Sequence, residues 1–221
     1  MRSLIERHNH AWHDFSYFLS MKRKTSDIIP QQETGKAIDA ASSIELADEH
    51  DAKNFFIKAK KRLQNVNQWK QYAGSISADF QLVDNHGRAV EREAKEGDYF
   101  KIDIPGPGTK SGDGYDWVKI EEVLSTAFPT GESFGFRVRP AENPQSGDTE
   151  VAHFYAPEST SSFIVERHKN KITVSIHDRN TKPNANADGL EKIRDTLVGT
   201  AGVVTFSKIQ WKNLAEGILN H

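Results

Sequence analysis

Cysteine is absent from this sequence, so no disulfide framework, thiolate metal site or cysteine nucleophile is available to it. A chain without covalent staples must stand on an ordinary apolar core. Its 221 residues suffice to bury one, in a single generous domain or two small ones. No apolar run approaches the roughly 18 to 20 residues that span a bilayer. Met1 to Ser20 places Arg2, Glu6, His8, His10 and His13 ahead of Phe15, Tyr17, Phe18 and Leu19, which is not the uninterrupted apolar core of a secretory signal. These absences predict a cytoplasmic protein that does not insert into membranes. An excess of charge of either sign is missing too: the formal net charge is -2, which gives no global electrostatic footprint for a nucleic acid. Nor is there a nucleophile elbow, a zinc-protease helix, a dinucleotide fingerprint, a phosphate loop or a pair of catalytic carboxylates, so neither cofactor nor metal is expected.

What is present is a change of hydrophobic rhythm. Met21-Lys22-Arg23-Lys24 opens a polar stretch running through Pro30 to Gly35 that offers little to bury. Met21 also reads as a plausible translation start, which would make residues 1–20 an upstream extension of the gene model. The expected division is a poorly ordered extension and linker over residues 1–41 and one α+β domain over 42–221. Ser43-Ile44-Glu45-Leu46 alternates like a short strand. Asp51 is placed to cap a helix in which Ala52, Phe55, Phe56, Ala59 and Leu63 share one face while Lys53, Lys58, Lys60, Lys61 and Arg62 share the wet one. Val66, Trp69 and Tyr72 extend the stripe, and Gly74 closes it.

From Ser77 the period becomes two. Strands are predicted around Phe80 and Leu82, Phe100 to Ile104, Tyr115 to Ile120, Phe134 to Val138, Val151 to Tyr155, Phe163 to Arg167, and Ile172 to Ile176, the last two forming a hairpin about Lys169-Asn170. Short connections between them imply antiparallel pairing. The end of the chain turns helical again. Leu190, Ile193 and Leu197 form one stripe, Gly199 and Gly202 predict a break, and Phe206, Ile209, Leu214 and Ile218 form a second stripe.

Several groups carry possible chemistry. Arg137 and Arg139 share one strand face, as do Thr173, Ser175, His177 and Arg179; neighbouring strands would merge them into a surface for a carboxylate or phosphate. The alternative is the solvated outer face of an antiparallel sheet. His153 and Tyr155 share a face with Val151, and Arg167 lies on the face of Phe163 and Val165. If buried, they need partners and either line a cavity or sit satisfied in a core.

A short strand, an early helix, a meander of about six strands and a terminal helix resemble in order the helix-grip fold of the START and Bet v1-like superfamily. The stretches Ser43-Ile44-Glu45-Leu46 and Asn67-Gln68-Trp69-Lys70-Gln71-Tyr72 and the helix through Phe55 and Phe56 look like its opening. The chain departs from that pattern at Gly199-Thr200-Ala201-Gly202, within a helix the family keeps continuous, and in the long loop from Gly106 to Gly114. The resemblance implies a curved sheet of six or seven antiparallel strands wrapped around a C-terminal helix with a hydrophobic cavity between them. Such a cavity would hold a small hydrophobic or amphipathic molecule against Trp69, Trp117, Phe136, Tyr155 and Phe163, its polar end oriented by Arg137, Arg139, Arg167, His177 and Arg179. Two other readings share this fold: a hydrolase or cyclase using His153 or His177 as general base, and a protein-interaction domain marked by an exposed aromatic patch.

Overall fold

The computed structural model describes residues 23–74, 77–104, 109–185 and 199–220. The readings of residues 1–20 as an extension and of Leu190, Ile193 and Leu197 as a helical stripe lie outside the described residues. The predicted amphipathic helix is α1, Glu49–Gln64, with Ala52, Phe55, Phe56, Ala59 and Leu63 buried along one side. Its cap is Asp48 rather than Asp51: the Asp48 carboxylate accepts the backbone N–H of Asp51 at 2.9 Å. A single 3-10 turn, Val66–Gln68, leads into the short helix α2, Trp69–Ala73, which ends at Gly74 in the left-handed region, φ 87°.

Seven strands follow the order β1-β7-β6-β5-β4-β3-β2, and every neighbouring pair is antiparallel. They are β1 (Lys36–Glu45), β2 (Asp79–Val83), β3 (Tyr99–Asp103), β4 (Asp116–Phe128), β5 (Gly131–Pro140), β6 (Thr160–His168) and β7 (Lys171–Thr181). β1 begins well before the predicted Ser43, because its inward positions include Ala40 and Ser42, too small to mark an alternation. The predicted strand Val151 to Tyr155 is instead an irregular segment, tied down by isolated bridges from Val151 to Glu142 and from Tyr155 to Pro183.

The terminal helix α3 runs from Gly199 to Leu219, so Gly199 to Gly202 are helical with the Phe206 to Ile218 stripe, and what precedes Gly199 lies outside the described residues. Glycine costs about 1 kcal/mol in a helix interior, which packing along a sheet outweighs. α3 lies over β1 and β7 and crosses α2 so closely that a Cβ on Gly217 would stand 2.1 Å from the Tyr72 carbonyl oxygen. With α1 and α2 it covers one face of the sheet. This is the helix-grip arrangement: a seven-stranded antiparallel sheet with N-terminal and C-terminal helices packed on it.

Trp69 is the centre of the core. Its ring sits 4.8 Å from Phe163, 5.2 Å from Phe80, 5.5 Å from Phe100 and 6.2 Å from Phe136. The indole N–H donates to the Leu63 carbonyl at 3.1 Å, so its one polar atom is satisfied in the interior. The opposite face of the sheet carries a smaller cluster of Val83, Tyr99, Trp117, Ala141 and Ala152. It also carries a strap. Part of the segment expected as a linker forms a 3-10 turn, Thr25–Ile28, whose Thr25 hydroxyl bonds Ser133 at 2.6 Å. Gly135 gives it room, since a Cβ there would meet Thr25 Cγ2 at 2.8 Å. Asn180 fastens the far end, accepting the backbone N–H groups of Glu33 at 2.8 Å and Thr34 at 3.0 Å.

Candidate functional site

Strand alternation divides the expected site residues between two faces. Arg137 and Arg139 stand on the outer face, away from the helices. A bulge between Ile120 and Glu122 turns two successive acids, Glu121 and Glu122, toward them. Arg137 Nε donates to Glu121 at 2.9 Å and its guanidinium lies 3.3 Å from Glu122, while Arg139 bonds Glu121 and, at 2.9 Å, the Pro157 carbonyl. Arg23 of the strap pairs with Glu122, and Arg137 also bonds the Ile28 carbonyl at 3.0 Å. Burial alone would raise the Glu121 pKa; the bonds and charges of Arg139 and Arg137 outweigh it and hold the carboxyl below its ordinary range.

His177 and Arg179 share that outer face. Both close on Asp39 of β1, at 2.6 Å from His177 Nδ1 and 2.8 Å from Arg179, and the other imidazole nitrogen lies 3.0 Å from the Ser175 hydroxyl. With both ring nitrogens engaged and the wrong face presented, His177 is not positioned as a base inside the fold. Trp117 belongs to the small outer cluster. Arg167 is on the inner face, at the edge near α1, where it is spent on Glu132 at 2.9 Å and on the Lys169 carbonyl at 3.0 Å. None of the five basic side chains expected to orient a ligand is therefore free to do so between sheet and helix. Trp69 and Phe136 lie within the packed aromatic core, so the centre of the interior is filled by side chains.

The inner face has a polar end. Asp178 follows Ile172, Val174 and Ile176 on the inward side of β7 and is 1% exposed. Trp211 of α3 donates its indole N–H to Asp178 Oδ2 at 2.9 Å, and Oδ1 has no hydrogen-bond partner among the described residues. Burial pushes this carboxyl up to about 6; the nearby Ser161 and Trp211 side chains and the charge of Arg179 offset the burial only in part. Tyr155 stands close by, its phenol raised above the ordinary range by burial and by the Asp178 charge, with its hydroxyl 3.4 Å from Ser207. Ser207 and Trp211 are one helical turn apart on α3 and so face the sheet together. Phe163 completes the wall, its ring 5.2 Å from Trp211 and perpendicular to it.

His153 adjoins this group, stacked on Phe154 at 4.6 Å and on Tyr155 at 5.8 Å. Burial pushes its imidazole down to about 3, and Nδ1 accepts the backbone N–H of Tyr155 at 2.9 Å. It is a neutral packing group with one nitrogen spent. A second inward acid, Asp116 of β4, is 2% exposed and also keeps one oxygen, Oδ1, without a partner. Burial pushes it up to about 8, against the pull of the Phe154 backbone N–H and the Thr109 hydroxyl.

Asp116, Asp178, Ser207 and Trp211 were not among the residues expected from sequence. The signal for Asp178 was there: two positions beyond Ile176, it had to point inward with Ile172, Val174 and Ile176. Elsewhere the surface offers an open hollow of about 360 Å³ beside Asp79, Lys101 and Asp103, and another of about 460 Å³ between β1 and α3 beside Ala41, Ile209 and Lys212. The exposed large hydrophobics among the described residues, Ile57, Phe128 and Ile209, stand on three different elements and form no aromatic patch. No described helix is long and apolar enough to cross a membrane.

No protein-family model matches the chain, and no curated protein matches it. Solved structures do. A hypothetical protein from Helicobacter pylori is similar at 14% identity and a TM-score of 0.47, over 87% of this chain and 93% of that one. A protein from Mycobacterium smegmatis is similar at 17% identity and a TM-score of 0.36, over 85% and 94%. A truncated norcoclaurine synthase from Thalictrum flavum is similar at 11% identity and a TM-score of 0.35, over 85% and 99%. The helix-grip assignment stands on this chain's own strand order and helix placement, and likenesses of this size say nothing of ligand or activity.

Proposed function

We propose that this protein is a binding module that holds a small hydrophobic or amphipathic molecule against the inner face of the sheet, at the Asp178 end and beneath the first half of α3. The observation that carries this reading is the Asp178 carboxylate, buried among Tyr155, Phe163 and Trp211 with one oxygen unpartnered. A buried polar atom without a hydrogen bond costs about 1 to 3 kcal/mol, and groups of this kind are uncommon unless something else satisfies them. Apolar walls with a few convergent polar atoms are what small-molecule sites present. The centre of the interior is filled around Trp69, so the reading assigns the molecule to this end.

N-phenyl-1-naphthylamine, a neutral probe that brightens in apolar surroundings, tests the reading. It should bind the folded protein at one saturable site. Ser207→Trp, which puts an indole where the Ser207 hydroxyl faces Tyr155, should weaken binding by about tenfold or more, with the circular dichroism spectrum unchanged. Absence of a saturable fluorescence gain, or wild-type affinity in the variant, would remove this function.

A further inference from the structure

We infer that the molecule held at this end carries a protonated amine, and that Asp178 Oδ1 is its counter-charge. The inference rests on the binding reading above and adds the chemistry of the ligand's polar end. Three observations lead to it. The carboxylate is buried, and among the described residues the side chains that offer it hydrogen bonds, Trp211 on one oxygen and Ser161 across the strand pair, are neutral. The surrounding groups are a phenol, a hydroxyl and aromatic rings, with no cation among Tyr155, Phe163, Ser207 and Trp211. The nearest cation on the same strand, Arg179, points to the other face and is bonded to Asp39 and to the Asp178 carbonyl, at 2.8 Å in each case.

Charge on a buried carboxylate needs a counter-charge with good geometry. An ammonium group supplies three donors and a full positive charge, and a charge-assisted hydrogen bond of this type is worth about twice a neutral one. A carboxylate or phosphate ligand would instead be repelled. Among the described residues, Arg137, Arg139 and Arg179 are engaged on the outer face and Arg167 is engaged with Glu132. The apolar remainder of the ligand would lie along Phe163 and Trp211, so the class is an amphipathic primary or secondary amine.

Hexylamine, hexanol and hexanoate share one apolar chain and differ in the head group. Each is titrated at neutral pH against the full chain, following displacement of N-phenyl-1-naphthylamine and heat release. Hexylamine should bind about tenfold or more tighter than hexanol, the size of one charge-assisted bond, and hexanoate weakest. Asp178→Asn should bring hexylamine to within about threefold of hexanol and leave hexanol unchanged. Equal binding of amine and alcohol, or tighter binding of hexanoate, overturns the amine assignment and leaves the binding site standing. Failure of all three to displace a bound probe overturns the site itself. The wild-type series decides the matter even if Asp178→Asn does not fold.

Discussion

The two faces of the sheet treat acidic side chains in opposite ways. On the outer face, Glu121, Glu122 and Asp39 each meet a cation within bonding distance, and the pairs tie the strap and β1 to their neighbours. On the inner face, Asp178 and Asp116 are more deeply buried and each keeps an oxygen unpartnered. Partly exposed pairs of the outer kind contribute little stability each and need no function to explain them. Isolated buried carboxylates cost stability, and perturbed groups of that sort concentrate where a ligand is met. The sheet thus separates charge that fastens the fold from charge the fold leaves unsatisfied.

The contrast predicts opposite responses to pH. Asp178 has a raised pKa when folded, about 6 against an ordinary 3.8, so the folded protein holds its proton more tightly than the unfolded chain. Stability from this group is therefore highest below about pH 4 and falls as pH rises through 6, by about 3 kcal/mol in all. Asp178→Asn removes that dependence. Urea unfolding should find the variant more stable than wild type at pH 7, by up to about 3 kcal/mol, with the difference shrinking on acidification. A variant that is less stable at pH 7 would break the contrast at its inner side.

The outer face should give a smaller effect of opposite sign. Glu121 is held below its ordinary pKa because Arg139 and Arg137 outweigh its partial burial, so its contribution is present at neutral pH and fades as pH falls through the carboxylate range. Glu121→Gln should cost about 1 kcal/mol at pH 7 in the same assay, the deficit closing in acid. A loss independent of pH would show that shape rather than charge holds Glu121 in place.

Much of the architecture was legible because apolar side chains announce their spacing. The stripe from Ala52 to Leu63 could be nothing but a helix face, and the alternation through Phe134, Phe136 and Val138 marked β5. β1 was shortened because Ala40 and Ser42 do an inward residue's work without an inward residue's size. The helical state of Gly199 to Gly202 was hidden by the local cost of glycine, about 1 kcal/mol in a helix interior. The site was less legible. His177, Arg137 and Arg139 drew notice as chemically versatile types, yet the same alternation that located their strands assigns them to the wet face. Glu121 and Glu122 could not be matched to them in advance, because a bulge changes parity and leaves no mark in composition. Asp178 was readable from parity alone and was masked by the histidine and arginine on either side of it.

The central claim is that Asp178 is a buried acid awaiting a donor, and its own titration tests that most directly. Carboxyl carbon NMR of the labelled protein, with the Asp178 signal assigned by its loss in Asp178→Asn, should give a midpoint near 6 that moves down when hexylamine is added. A midpoint at or below the ordinary 3.8, unmoved by the amine, would contradict the account.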